Sequence, residues 1–158
     1  MQLDNFFSSL QSSSLALLLD GSRYIAMTVQ IVHLIALTFL LALVLAINIR
    51  VLNLSLRGLP VYVFARAMTR PYLLTLVVAV VAGVLLFLPR AATYANNVPF
   101  IWKMGLLLVA GIGQFLLLRH LSALPPRREA SLLFRAGSLV TLLLWLSTGV
   151  AGRVIGFV

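Results

Sequence analysis

The stretch YIAMTVQIVHLIALTFLLALVLAINIR, residues 24–50, decides the fold. It is apolar for most of its length, and the run 24–49 within it exceeds the roughly 20 residues that a bilayer-spanning helix needs. Three further runs, 71–89, 98–120 and 135–155, have the same character. None alternates as a strand would. In lipid each lipid-facing backbone group must be satisfied internally, so the four runs are read as helices. The sequence thus predicts an all-α integral membrane four-helix bundle, one domain over residues 1–158.

Composition agrees. Hydrophobic residues make up 62% of the chain and charged residues 9%, against about 25% charged in a soluble domain. The absence of cysteine excludes disulfides, thiolate metal sites and redox thiols within the chain. The net charge of +9 sits between apolar runs. No basic helix or aromatic–basic platform accompanies it, so nucleic acid is not an expected partner. The expected surroundings are a lipid bilayer, with other membrane subunits or further copies of the chain as partners.

The charge is lopsided. Arg50, Arg57, Arg66, Arg70, Arg119, Arg127, Arg128 and Arg135, against Glu129, flank two of the inter-span loops. Arg23, Arg90, Lys103 and Arg153, against Asp4 and Asp20, fall on the other side. The positive-inside rule puts the arginine-rich loops in the cytoplasm and both termini in the periplasm of a bacterial inner membrane. Tyr24, Tyr94 and Trp102 then mark the outer interface, Tyr62 and Tyr72 the inner one.

Two shorter elements accompany the spans. Leu3, Phe6, Phe7 and Leu10 fall near one face of an interfacial helix over 3–18, with a loosely ordered tail as the plainer alternative. The lack of a basic start, with Asp4 and Asp20 in its place, argues against a signal peptide. In the first cytoplasmic loop, Pro60 and Pro71 stand at helix-start positions. Val61, Phe64 and Met68 share one face between them, which predicts an amphipathic helix over 60–70.

No carboxylate lies inside a span, which weakens proton-coupled transport and acidic-ring cation channels. The polar residues at depth are Gln30, His33, Lys103 and Gln114. Gln30 and His33, spaced i,i+3 with Ala36 following, predict a face turned into the bundle. At 1.5 Å per residue, His33 lies about 5 Å outside the midplane and Lys103 and Met104 about 7–9 Å outside it. His120 falls about 17 Å to the inside, too far to share one haem with His33 in a single chain.

This leaves His33, Gln30 and Lys103 as candidates for holding a cofactor, haem b or a quinone. His33 with Met104 and Met27 is a candidate copper or haem-iron site. The plainer readings are a neutral histidine bonded to a neighbouring helix, and a snorkelling lysine. Trp145, in mid-span, needs a partner for its N–H or a cavity to face. Ala79 and Gly83, then Gly105, Ala110, Gly111 and Gly113, and finally Gly149, Ala151 and Gly152 are small residues that let helices approach. No catalytic constellation is apparent.

VHLIALTFLLALVLAINIRVLNL resembles the first helix of an uncharacterised four-helix bacterial inner-membrane family. NVPFIWKMGLLL is similar to that family's entry to its third helix, with Asn97, Phe100 and Lys103 in matching positions, and FLLLRH also fits. More distantly, residues 30–121 are similar to membrane domains of the copper-resistance-protein-D (CopD) type. Asn48 stands where an aspartate is usual two residues before Arg50, Pro99 is shifted by one place, and Gln114 replaces asparagine. The resemblance implies a membrane component linked to copper handling or respiratory redox chemistry. An accessory or assembly subunit of a larger membrane complex is the alternative, and a small-molecule transporter the third.

Overall fold

The computed structural model describes residues 2–95, 97–126 and 128–154, which leaves Arg127 and Ile155 outside it. It is all-helical among those residues. Two short helices, α1 (Gln2–Gln11) and α2 (Ser14–Gly21), precede α3 (Arg23–Val51) and α4 (Val61–Phe87). A 3-10 turn at Leu88–Arg90 and the short α5 (Ala91–Ala95) lead to α6 (Val98–Ser122) and α7 (Leu132–Val154). The spans, α3, α4, α6 and α7, are long and apolar enough to cross a membrane, which makes the chain a multi-pass membrane protein.

Local chemistry sets the helix ends. α3 stops where Asn53 takes a left-handed φ of 61°, a conformation that asparagine tolerates better than most residues. Its N–H bonds Arg50 O and that of Leu54 bonds Ile49 O, so carbonyls at the helix end are satisfied. Pro60 caps α4, and the side chain of Asn97 caps α6 by accepting from Phe100 N at 3.0 Å. Arg66 donates through Nε to Ser122 O at 3.0 Å, placing a cation at the C-terminus of α6.

Two expected boundaries move. The helix expected at 60–70 and the span expected from 71 are one continuous helix, α4, with Pro71 inside it. Proline removes the N–H that would bond the carbonyl of Ala67. Ala67 is exposed, and the helix continues past the gap. The expected 3–18 helix is instead two, broken where Ser13 N-caps α2 by accepting from Ala16 N. Both lie against the turn 88–90, α1 also against α5 and α2 also against α3 and α4, with Phe7, Phe87, Tyr94 and Phe100 in one aromatic cluster.

The spans adjoin in the order α3, α4, α6, α7, and α7 closes on α3 through a thinner contact. Burial along them is graded. Toward loops 52–60 and 123–131 the inward residues Leu40, Val44, Ile47, Leu117, Leu118 and Leu121 are buried. Toward the other end, Ala26, Val29, His33, Gly83, Lys103 and Gly152 are only half-buried. Of the small residues, Ala79, Ala110 and Gly111 are buried in the core, whereas Gly105 and Gly149 have nothing opposite them.

Candidate functional site

At the tight end a polar hub joins three spans. Asn48 is fully buried. Its Nδ2 donates to Val44 O at 2.8 Å and to Gln114 Oε1 at 3.1 Å, linking α3 to α6. Its Oδ1 accepts from Ser138 at 2.5 Å and from Thr141 at 3.3 Å, linking α3 to α7. Gln114, a polar residue at depth in the sequence, is thus an acceptor in this hub. Tyr72, expected at the interface, is also fully buried, its hydroxyl donating to Gly111 O at 3.0 Å.

Beside the hub, Arg50 is the largest fully buried side chain. Its Nε donates to Leu59 O at 2.7 Å, and its two terminal nitrogens grip the Glu129 carboxylate at 3.1 and 3.3 Å. One guanidinium therefore fastens both loops at this end. The resemblance leaves Arg50 without a nearby aspartate partner, and the chain supplies a carboxylate 79 residues away.

The half-buried end holds His33 and Lys103. His33 Nδ1–H donates to Ala79 O at 2.9 Å, which assigns the ring proton to Nδ1 and leaves Nε2 as the free acceptor. The ring lies over Gly83, whose missing Cβ would stand 3.1 Å from Cε1. The Lys103 stem crosses to α7, with Nζ 3.5 Å from where a Gly152 Cβ would be. Gly83→Ala should therefore shift the ring and cost about 1–2 kcal/mol through overpacking. Thermal unfolding in detergent, with His33→Ala as the background that relieves the clash, checks this.

The other sequence candidates do not converge there. Gln30 is exposed, not turned inward, because the inward stripe of α3 runs through Ala26, Val29, His33, Ala36 and Leu40 and passes beside it. Met27 and Met104 are 50% and 39% exposed on the outside of the bundle. His120 is exposed in the last turn of α6, its Nδ1–H bonded to Leu116 O at 2.7 Å. No group of three histidine or acidic residues that could hold a metal occurs among the described residues.

Sequence reasoning finds the α7 span and singles out Trp145, but misses the polar seam to which that residue belongs. The buried positions of α7 are Ser138, Thr141, Trp145 and Thr148, each carrying a polar group. Their spacing of three, four and three residues is a heptad seam visible in the sequence. The eye passes over it because serine and threonine barely interrupt an apolar run.

The profile of a family of unknown function, DUF6644, matches residues 6–158, and the chain belongs to that family. No curated protein and no solved structure matches it.

Proposed function

We propose that this member of the DUF6644 family is a redox-linked component of a bacterial inner membrane, and that His33 and Lys103 bind the oxygen-bearing headgroup of a quinone. The observation that carries the reading is the hydrogen bond from His33 Nδ1 to Ala79 O. It fixes the tautomer and presents Nε2 as an acceptor, as histidines that bind through one nitrogen commonly do. Nε2 can accept a quinol hydroxyl, and the Lys103 ammonium can donate to a quinone oxygen.

The same geometry favours this ligand over a metal cation. Neither methionine candidate lies on the inward face, so a metal at His33 would find no soft second ligand there. Copper at His33, Met104 and Met27, and haem b at His33, are therefore the less favoured forms of the redox reading. A lipid-facing groove of about 280 Å³ lies alongside, between α3 and α4, lined by Val32, Ile35, Ala36, Phe39, Leu74, Thr75 and Val78. Its apolar walls suit the tail of such a molecule. The accessory-subunit reading rests on a different observation, exposed Gln30, an amide that a neighbouring helix could satisfy.

Binding of a short-chain quinone to the protein in nanodiscs, followed by tryptophan quenching, tests the proposal. His33→Ala and Lys103→Met should each weaken binding about tenfold, the equivalent of about one charge-assisted hydrogen bond, while the unfolding temperature stays near that of the parent. Absence of binding by the parent protein would sink it. A Soret band or stoichiometric copper lost in His33→Ala would move the assignment to the metal forms. The proposed orientation has its own check: a reporter fused after Val158 should be periplasmic.

A further inference from the structure

Three buried side-chain nitrogens lack a hydrogen-bond partner among the described residues: Gln114 Nε2, Arg135 Nε and Trp145 Nε1. They are not scattered. Arg135 stands three residues before Ser138 on α7, and Trp145 lies one turn beyond Thr141 on the buried face of that helix. Gln114 faces the same seam from α6, since it shares Asn48 with Ser138 and Thr141. All three orphans are donors.

Acceptors are close by. The hydroxyl protons along the seam are committed: Ser138 donates to Asn48 Oδ1, Thr141 to Ser138 O and Asn48 Oδ1, and Thr148 to Leu144 O. Each hydroxyl oxygen therefore keeps acceptor capacity. Unpaired donors beside oxygens able to accept are complementary to a small molecule that does both. A buried donor left unmade in an apolar setting is costly, and buried water is the common remedy where polar groups converge.

We infer that the inward face of α7 is a water-binding seam, with ordered water accepting from Trp145 Nε1, Gln114 Nε2 and Arg135 Nε and donating to the hydroxyls of Ser138, Thr141 and Thr148. The ligand class is water, held inside the bundle along α7 from Arg135, past the Asn48 hub, toward the Gly152–Lys103 contact. The inference is independent of quinone binding at His33.

The test uses the full chain carrying Trp102→Phe, which leaves Trp145 as the single tryptophan. Its isotope-labelled indole N–H is observed by NMR in nanodiscs. The expected result is magnetisation transfer from water to the Trp145 N–H, with exchange in D2O while the protein remains folded. Gln114→Leu should reduce that transfer, and Gln114→Glu, which keeps a polar partner, should retain more of it. An indole that receives no magnetisation from water and stays protonated in D2O would show the seam to be dry and overturn the inference. Because the Trp102→Phe protein alone separates a wet seam from a dry one, failure of a Gln114 variant to fold leaves the test intact.

Discussion

Glu129→Ala is expected to destabilise the protein by about 3 kcal/mol, a large effect for a change at an exposed residue. Glu129 is 53% exposed, yet it neutralises an arginine that is 1% exposed. Removing the carboxylate leaves Arg50 buried with Leu59 O as its one remaining partner among the described residues. A buried charge without its counter-ion typically costs 3–5 kcal/mol, and the exposure of Glu129 argues for the lower end because water can enter where the carboxylate was. Arg50→Met should cost less, since the carboxylate it abandons can be solvated. The double variant should recover most of the loss, as buried ion pairs replaced together by apolar groups often do. Denaturant unfolding in detergent, analysed as a double-mutant cycle, measures the coupling. Additive losses would mean that the pair is not a clamp.

Asn48→Leu is the second large effect, expected at about 2–3 kcal/mol. Side-chain hydrogen bonds between membrane helices average about 0.6 kcal/mol and reach about 1.7, and Asn48 makes three of them, to Gln114, Ser138 and Thr141. Leucine has the same number and branching of side-chain heavy atoms and is no smaller, so the penalty comes chiefly from polar groups left without partners and not from a cavity. Ser138→Ala in the same background should therefore cost little more, where in the parent it costs its full hydrogen bond. If Asn48→Leu unfolds within about 0.5 kcal/mol of the parent, within the usual scatter for neutral substitutions, the hub does not hold the spans together.

What the sequence discloses and what it hides follow from physics. The spans are legible because lipid demands long apolar runs, and residues 24–50 supply one with little interruption. The boundary at Pro71 misleads, because a proline stands at a helix start more often than within one, and here exposed Ala67 lets the helix run on. Gln30 misleads because an i,i+3 relation to His33 does not say which of the two lies on the stripe. Asn48 and Arg50 read as a departure from a pattern. Their partners, Gln114, Ser138 and Glu129, come from remote positions that periodicity does not connect. His33 is visible as an imidazole in an apolar helix, but its use of Ala79 O needs the register of α4 against α3.

The graded burial has a mechanical meaning. Arg50, Glu129, Asn48 and Tyr72 fasten the four spans at one end, while the inward faces around His33 and Lys103 are only partly covered. Such a molecule resembles tweezers with a riveted base, whose far ends are bridged more loosely by His33 on Ala79 O and by Phe87 stacked on Phe100. Lateral pressure differs with depth and lipid shape in a bilayer, so the tips feel the leaflet around them while the rivet does not. Cone-shaped lipids that squeeze the acyl region should draw the tips together, and short-chain lipids should let them part. The spacing between His33 and Lys103 then becomes a property set jointly by the protein and the leaflet.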